Sequence, residues 1–406
     1  MRLFHLLFLL NLKTILIAAF LLRVIWACSI PVDTISDSFL YDAFAKSIAA
    51  GNGYAFPNGD ITVYWPVGTS AIYAVLYKLF GVSYLPIVIF NVLIGVLIVC
   101  LSYAIALRYL GQKSAKIAAI LVACWPILIE FTTILASELI FILFVLAAVY
   151  VWGTKTLNPF LRAFIWGALV CAATYVRPTA LPLLALLPAL AWLAEGNIRA
   201  CIVSFCIATL TAALLFSPWV CRNYHHFGEF VLVSANGGVN LWMGNNANSN
   251  SGYTELPNLN FKNEVARDHY FKREAIQFIK DSPQAYLKLA VLRAVMTYKA
   301  ETIGIVWNGY LEKNVERSKL LTLKLVSSLY WWLMLTLATM GVYKILKYRK
   351  LKLFHPLLMV PAFFFIFPIL TVAQDRYHLP INPFLAMFAA YAIQQFFEQR
   401  LTKTTT

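Results

Sequence analysis

Continuous apolar runs, each long enough to cross a membrane, recur along most of this 406-residue chain. Examples are LKTILIAAFLLRVIWACSI near the start and VSYLPIVIFNVLIGVLIVCLSYAIA further on. A helix needs about 20 apolar residues to cross a hydrocarbon core about 30 Å thick. The runs lack the alternation of transmembrane barrel strands, so they predict helices. The expected fold class is therefore an all-α polytopic membrane protein.

Composition and charge agree with this assignment. Hydrophobic residues make up 61% of the chain and charged residues 13%, whereas a soluble domain typically carries about 25% charged residues. The net charge of +15 does not indicate a nucleic-acid partner, because cations cluster in alternate short loops, as the positive-inside rule expects of cytoplasmic ones. The seven cysteines show neither a disulfide framework nor a zinc spacing.

The loop charges predict ten spans with both termini in the cytoplasm. The first run lacks a small-residue cleavage site, so we expect it to be retained as a span. The predicted spans lie near residues 12–30, 83–107, 115–131, 138–153, 160–176, 179–194, 200–220, 322–343, 353–372 and 379–397. Two long segments, 31–82 and 221–319, remain on the outer side of what we interpret as a single membrane domain, 1–406.

The outer segments carry their own helical patterns. SDSFLYDAFAKSIAAGNG predicts a helix that is stopped by glycines, and GTSAIYAVLYKLFG predicts a second one. Both are expected to lie along the membrane interface. In the second outer segment, SANGGVNLWMGNNANSNSGY is turn-rich and typical of a binding loop. The helical stretch that follows it is expected to break at Pro283.

Polar residues gather at the outer ends of the spans and in the outer segments. They are Asp33, Asp37, Asp42, Glu138, Arg177, Arg222, Asn223, His225, His226, Asp375, Arg376 and His378. Charges near membrane depth are costly and by default indicate a functional cavity. A carboxylate can act as a general base towards a hydroxyl, and arginine pairs bidentately with phosphate. The mixture therefore predicts a lipid-phosphate substrate at the outer rim.

Several stretches together resemble a known family. DSFLYDAFAKSIAAGNGYAFPNGDITVYWPVGTSAIYAVLYKLFG resembles the first outer loop of the family 39 type of glycosyltransferases with the GT-C membrane fold. This group includes protein O-mannosyltransferases and the aminoarabinose transferase of lipid A. Further matching stretches follow in the expected order: ASELIF, YVRPTAL, SPWVCRNYHHFGEFVLVSANGGVNLWMGNN and QDRYHLPINPFLAMFAAYA.

The resemblance implies a GT-C bundle of about ten transmembrane helices with outer-face juxtamembrane helices. It implies inverting transfer of a sugar from a polyprenyl-phosphate donor to a hydroxyl of an acceptor lipid, glycan or protein. No cofactor, metal or nucleic acid is expected. The expected location is a bacterial inner membrane, with the active site facing the periplasm.

The resemblance also assigns roles to residues. The family's catalytic aspartate matches Asp37, as general base. Relatives often have Glu directly after it, whereas Ser38 stands here, which leaves a second acid role to Glu138 or Asp42. The predicted donor-phosphate ligands are Arg177, Arg222, Arg376 and His378. The predicted substrate contacts are Tyr41, Tyr64, Trp65, Asn223 and Asn245.

Structural roles are the alternatives for these residues. Asp37 could be only a helix cap, and Glu138 could only complement a helix dipole. Arg177 and Arg222 could snorkel, and Arg376 could form only a local ion pair with its neighbour Asp375. Tyr64 and Trp65 could form an aromatic belt, and the loop asparagines could be turn formers. Asp33 and Asp42 are expected to be caps or solvated residues. The adjacent histidines have no further ligand at metal-binding spacing.

Two rival functions use the same features. One is a polysaccharide polymerase or ligase with a diphosphate-linked donor. The other is a lipid or sugar transporter, which would also hold charges in a membrane cavity. Transporters generally show structural repeats with broken helices at the midplane, but the sequence shows no repeat, and its polar residues gather at one rim. The transferase is therefore the preferred interpretation.

Overall fold

A computed structural model describes residues 10–404, and helices dominate it, with 75% of the residues helical. In that described range the only bridge between extended residues is the isolated pair Ala55 and Ile61. The all-α fold class is confirmed. The helices in chain order are α1 Leu12–Ser29, α2 Asp37–Ala49, α3 Gly68–Phe80, α4 Tyr84–Leu110, α5 Gln112–Ala123, α6 Pro126–Glu130, α7 Glu138–Trp152, α8 Pro159–Val176, α9 Leu183–Glu195, α10 Ile198–Phe227, α11 Gly237–Gly244, α12 Glu264–Asp281, α13 Pro283–Tyr298, α14 Ile303–Val306, α15 Gly309–Asn314, α16 Arg317–Lys347, α17 Pro356–Leu370 and α18 Asn382–Thr404, with 3-10 helices at Phe131–Thr133, Pro178–Ala180 and Asp375–Ile381.

Each predicted span has a helix at its position. Within residues 10–404, five helices are long and apolar enough to cross a membrane: α1, α4, α8, α10 and α16. Helix α5 and the segment Pro126–Thr133 form a sixth candidate that is bent by 57°. Three further spans correspond to the shorter apolar helices α7, α9 and α17, and the last to α18. The multi-span architecture is confirmed, although only five or six of the ten predicted spans meet the length criterion.

The bend after α5 follows from Pro126. Proline cannot donate to the preceding turn of a helix, but it is well suited to the first position of a new one, and α6 begins there. The chain then continues through a 3-10 turn and a short non-helical stretch before α7 begins at Glu138. The break therefore delivers this carboxylate at a helix start, inside the protein rather than along a membrane-facing side.

Two glycines allow neighbouring helices to touch. A Cβ added to Gly167 on α8 would come within 2.6 Å of the Ala208 backbone on α10. A Cβ on Gly341 of α16 would come within 1.9 Å of the Phe388 carbonyl oxygen on α18. Small residues at crossings let membrane helices pack closely, since packing rather than hydrophobic burial drives their association. These contacts hold together the bundle that supports the outer segments.

Asp42 ties the first outer segment to the bundle. Its buried carboxylate accepts hydrogen bonds from the hydroxyls of Tyr77 (2.6 Å) and Tyr84 (3.1 Å) and from the Lys46 ammonium (2.7 Å). These contacts join α2 to α3 and to the start of α4. The expectation of a cap or solvated residue was wrong for Asp42, because three donors on different turns satisfy the carboxylate inside the protein.

The two outer segments also dock on each other. Glu264, the first residue of α12, accepts hydrogen bonds from the Thr62 hydroxyl (2.8 Å) and the Val63 amide (2.8 Å). The Ala235 amide donates to the Val63 carbonyl oxygen at 2.8 Å. The predicted break at Pro283 is confirmed, because α12 ends at Asp281 and α13 begins at the proline.

Candidate active site

A cavity of about 970 Å³ lies where the segments 31–82 and 221–319 meet one end of the helical bundle. Its wall combines the start of α2, residues 64–66 and 176–182, helix α11, and the stretch from the end of α17 to Pro380. Four of its lining residues are charged: Asp37, Arg177, Asp375 and Arg376. Segments that are distant in the sequence therefore share one chamber that can enclose a substrate.

Two acids and two arginines alternate at this cavity. The Arg376 guanidinium contacts the Asp37 carboxylate at 2.7 Å and the Glu138 carboxylate at 3.4 Å. Glu138 also pairs closely with Arg177, whose Nε donates to the Ser137 hydroxyl at 2.8 Å. The predicted convergence of these four charged residues is therefore present. Their formal charges cancel, so each charge has a partner despite its burial.

Asp37 is the first residue of α2, and its side chain remains partly accessible. Ser36, directly before it, has φ of 52° and ψ of −132°, a conformation that non-glycine residues rarely adopt. One carboxylate oxygen, Oδ2, is held by Arg376. Across residues 10–404, no donor binds the other oxygen. Asp37 thus presents an oriented and incompletely paired carboxylate to the cavity.

Arg376 is fixed on several sides. It lies in the 3-10 helix Asp375–Ile381, its Nε donates to the Gln374 side chain at 2.5 Å, and it stacks 4.0 Å above the Trp307 ring. Burial lowers the pKa of Arg376, but the nearby carboxylates of Asp37 and Glu138 outweigh burial and raise it above its ordinary value. The guanidinium therefore remains charged.

Glu138 has a different environment from Asp37. Its side chain is fully buried and does not belong to the cavity wall. The carboxylate binds both Arg177 and Arg376, which do line the cavity. Glu138 therefore holds the two arginine side chains in position and does not itself contact a substrate in the cavity.

The predicted aromatic contacts lie in the cavity wall. Tyr41, Tyr64 and Trp65 all line it. The Tyr41 and Trp65 ring centroids are 5.4 Å apart, and Trp65 stacks on Tyr64 at 6.3 Å. An aromatic surface beside the charged residues can contact the apolar face of a sugar ring or a lipid.

The structure places Arg222 and Asn223 outside the cavity wall. Arg222 donates to the backbone carbonyl oxygens of Thr62 (2.9 Å) and Tyr54 (3.0 Å) and to the Asn223 side chain. The Asn223 amide donates to the Val231 carbonyl oxygen at 3.0 Å. These two predicted ligands join the end of α10 to the outer segments instead.

His378 and Asn245 are also away from the cavity wall. The buried His378 ring contacts the Thr297 carbonyl oxygen at 2.9 Å and the Glu301 carboxylate at 3.1 Å. The Asn245 amide donates to the Thr371 carbonyl oxygen at 2.9 Å, and its oxygen accepts from Arg293. Both side chains are occupied by protein partners.

Sequence reasoning missed several residues of this region. Trp307, Gln374 and Tyr253 line the cavity, and Glu301 contacts the predicted ligand His378. Gln374 could have been found from the sequence, because it directly precedes Asp375 and Arg376 in QDRYHLP. Trp307 and Glu301 belong to no local motif. Among residues 10–404, no group of three or more His, Cys, Asp or Glu side chains could hold a metal ion.

Comparisons with known proteins come from sequence and from structure. Residues 65–221 match the family model described as dolichyl-phosphate-mannose-protein mannosyltransferase. No curated protein matches the sequence. The archaeal oligosaccharyltransferase AglB from Archaeoglobus fulgidus, in complex with an inhibitory peptide and a dolichol-phosphate, has a similar structure, with a TM-score of 0.59 and 13% identity. The match covers 97% of this chain and 52% of that chain, so this chain spans about half the length of AglB.

ArnT from Cupriavidus metallidurans, bound to undecaprenyl phosphate, is similar to the same degree. Its TM-score is 0.59 at 12% identity, and the match covers 94% of this chain and 60% of that chain. At such low identity these structures establish a common fold. The chain therefore has the GT-C membrane fold and, over residues 65–221, the sequence pattern of the dolichyl-phosphate-mannose-protein mannosyltransferase family, as the resemblance implied.

Proposed function

We propose that this protein is an inverting glycosyltransferase that moves a sugar from a polyprenyl-phosphate donor to an acceptor hydroxyl. The observation that carries the proposal is the Asp37 carboxylate, which lines the cavity with one oxygen held by Arg376 and the other unoccupied. The fold and the family match support the reaction class. Both similar structures were determined with a polyprenyl phosphate, a dolichol-phosphate in one and undecaprenyl phosphate in the other.

The proposed reaction uses the residues at the cavity in fixed roles. The free oxygen of Asp37 takes the proton of the acceptor hydroxyl as that oxygen attacks the anomeric carbon of the donor. The bond between this carbon and the phosphate oxygen breaks, and its electron pair leaves with the lipid phosphate. Arg177 and Arg376 stabilise the negative charge that develops on the leaving phosphate. Attack from the opposite face inverts the anomeric centre.

Glu138 contributes to this reaction through the arginines. Its carboxylate holds Arg177 and Arg376 before the donor arrives, so their guanidinium groups need no reorganisation when charge develops. When the donor binds, its phosphate brings negative charge next to Arg177 and Arg376, which already pair with the carboxylates of Glu138 and Asp37. We therefore expect the donor phosphate to compete with Asp37 for Arg376, which would release Asp37 to act as a base.

The setting of the reaction is part of the proposal. The chain is a multi-span membrane protein, and its cavity lies at the end of the bundle that the loop charges predict to be external. We place it in a bacterial inner membrane with the cavity facing the periplasm. The acceptor would be a lipid, glycan or protein at that face.

The test compares two aspartates of the first outer segment. Purified protein in vesicles is given radiolabelled polyprenyl-phosphate sugars together with acceptor-containing membranes. Asp37→Asn keeps the shape of the side chain but removes the base, so transfer should fall by about 10²- to 10⁴-fold. Asp33→Asn is the matched control, because Asp33 pairs with Lys313 and is not in the cavity wall.

Two results would contradict the proposal. Transfer at the wild-type rate by Asp37→Asn would remove the base from the mechanism. Movement of the intact lipid across the vesicle, without transfer of its sugar, would instead assign the cavity to a transporter.

A further inference from the structure

One short segment contacts the two elements that carry Asp37 and Arg376. Residues 302–309, which we call the bridging segment, comprise helix α14 and the residues on either side of it. Asp37 begins α2, and Arg376 lies in the 3-10 helix Asp375–Ile381. The proposed reaction needs these two side chains at a fixed separation, because Arg376 pairs with Asp37 and has to stabilise the leaving phosphate. Each end of the bridging segment contacts one of the two elements.

On the Arg376 side, the bridging segment contributes Trp307 and Thr302. The Trp307 ring lines the cavity, and the Arg376 guanidinium carbon lies 4.0 Å from its centroid, nearer than the 5.5 Å to the Tyr377 ring. The Asp375 carboxylate accepts hydrogen bonds from the Thr302 hydroxyl (2.9 Å) and amide (3.2 Å). Two successive residues of the 3-10 helix are therefore held by the bridging segment.

Stacking on Trp307 orients Arg376 without using its hydrogen-bond donors. A guanidinium group is planar, its N–H donors point outward in that plane, and an aromatic ring contacts only its face. The contact is therefore compatible with an exchange of the Asp37 carboxylate for a phosphate. A hydrogen-bond acceptor in the place of Trp307 would instead compete with the phosphate for a donor.

On the Asp37 side, Gly309 packs against the turn that leads into α2. A Cβ added to Gly309 would come within 2.8 Å of the Ile35 side chain and 3.0 Å of the Asp33 carbonyl oxygen. Ile35 is in turn joined to Ser38: its carbonyl oxygen accepts from the Ser38 hydroxyl at 2.6 Å, and its amide donates to that hydroxyl at 3.0 Å. The bridging segment therefore supports the turn that presents Asp37, and glycine permits the close approach.

The bridging segment is itself fixed on the helical bundle. The Asn308 side-chain amide donates to the Thr133 hydroxyl at 3.2 Å, and its oxygen accepts from the Leu311 amide at 3.2 Å. A Cβ added to Gly304 would come within 2.1 Å of the Glu130 carboxylate, so α14 lies directly against the end of α6. A supported element of this kind can hold other side chains in a productive geometry.

We propose that the bridging segment sets the separation of Asp37 and Arg376. Trp307 is the positioning residue for the Arg376 guanidinium, and Gly309 is the positioning residue for the turn before Asp37. This inference rests on the proposed glycosyl transfer, which it deepens by naming the residues that hold the base and the phosphate ligand in place. Neither positioning residue takes part in bond making or bond breaking.

Trp307 is tested with a leucine and a phenylalanine variant. Trp307→Leu should lower kcat about tenfold and change the donor KM by less than about threefold, because the orientation of Arg376 matters most as charge develops on the leaving phosphate. Trp307→Phe keeps an aromatic face and should stay within about threefold of the wild-type kcat. Trp332→Leu is the matched control, since Trp332 is 48% exposed on α16 and does not line the cavity.

A second background separates positioning from a general loss of structure. In protein that already carries Arg376→Lys, Trp307→Leu should lower kcat by less than about twofold, because the group that Trp307 orients has been replaced. A further tenfold loss in the double variant would overturn the role of Trp307. So would a phenylalanine variant that is as slow as the leucine variant.

Gly309→Ala tests the Asp37 side in the same way. The added methyl group displaces the turn around Ile35, so kcat should fall about three- to tenfold. In protein that carries Asp37→Asn, the same change should cost less than about twofold. Equal losses in the two backgrounds, or no loss in either, would overturn the role of Gly309.

Binding of undecaprenyl phosphate distinguishes a failure of this inference from a failure of the proposed function. This compound is a polyprenyl phosphate of the kind that leaves in the proposed reaction. Trp307→Leu should weaken its binding about three- to tenfold, but not in the Arg376→Lys background. If this result is obtained while wild-type protein transfers no sugar, the proposed function fails and the bridging segment keeps its role. If sugar is transferred and the losses multiply, the role of the bridging segment fails and the function stands.

Discussion

Arg376 and His378 lie two residues apart on one 3-10 helix, yet they enter different environments. Arg376 lines the open cavity and bridges Asp37 and Glu138. His378 is fully buried and bonds to Glu301. A 3-10 helix turns about 120° per residue, so side chains two positions apart point in different directions. This 3-10 helix therefore places Arg376 at the cavity and uses the buried His378 to hold itself in the protein.

The buried end of this helix is held by hydrogen bonds centred on Glu301, which we call the anchor. Glu301 accepts from the Asn382 amide at 2.7 Å and from the Trp125 indole at 2.9 Å, and contacts His378 Nε2 at 3.1 Å. The other ring nitrogen of His378 faces the Thr297 carbonyl oxygen, which can only accept, so this nitrogen carries a hydrogen. The contrast teaches that burial without a cavity marks a structural role, even for residue types that are common in active sites.

The largest expected effect comes from removing the centre of the anchor. Glu301→Ala leaves His378, Asn382 and Trp125 without their shared partner, and we expect it to lower the free energy of unfolding by about 3–5 kcal/mol. Glu301→Gln keeps an acceptor oxygen and should lose markedly less. Thermal unfolding in detergent measures both variants. A wild-type melting temperature for Glu301→Ala would show that the network does not hold the 3-10 helix.

The next effect concerns the cavity side of the same helix. Arg376→Lys keeps the charge but cannot reach Asp37 and Glu138 with a planar fork, so transfer should fall about 100-fold, or about 2.7 kcal/mol. The melting temperature should change less than in Glu301→Ala. Arg317→Lys, at the exposed start of α16, is the control. If Arg376→Lys lost as much stability as Glu301→Ala and kept its activity, Arg376 would have the structural role and would not be needed for transfer.

A smaller effect is expected at Arg222. Its guanidinium binds the Tyr54 and Thr62 carbonyl oxygens and stacks 4.7 Å from the Trp219 ring centroid. Arg222→Ala should cost about 1–3 kcal/mol of stability, because the Thr62 carbonyl loses its donor and the Tyr54 carbonyl keeps only the Thr62 amide. The KM for the donor should not change. An elevated donor KM at unchanged stability would instead support the phosphate contact predicted from the sequence.

Sequence reasoning reached the fold through simple physics. Apolar runs of membrane length and alternating loop charges identified the helical bundle and the side on which the polar residues gather. Asp37, Glu138, Arg177 and Arg376 meet because each one begins or follows a helix at that side. The residue type and its position relative to the spans were sufficient for these four.

The same reasoning could not separate Arg222 from Arg177. Both are arginines at the ends of predicted spans, but the partner of Arg222 is set by how the segments 31–82 and 221–319 dock, which brings the Tyr54 and Thr62 carbonyl oxygens to it. For His378, the deciding partner is Glu301, 77 positions earlier. Contacts over such separations depend on tertiary packing and have no local pattern.

The smallest effect is expected at Asp33, the first aspartate of the first outer segment. Asp33 pairs with Lys313 at 2.6 Å, and the lysine side chain is 62% exposed while the aspartate side chain is 32% exposed. Exposed ion pairs typically contribute about 0.2–1 kcal/mol, because water screens the charges and ordering two long side chains costs entropy. Lys313→Ala should therefore leave transfer unchanged and shift stability by no more than that, as measured by thermal unfolding at low and high salt. A tenfold loss of transfer in this variant would show that the active site includes the α15 region. Residues outside the cavity wall and outside the anchor would then also be needed for transfer.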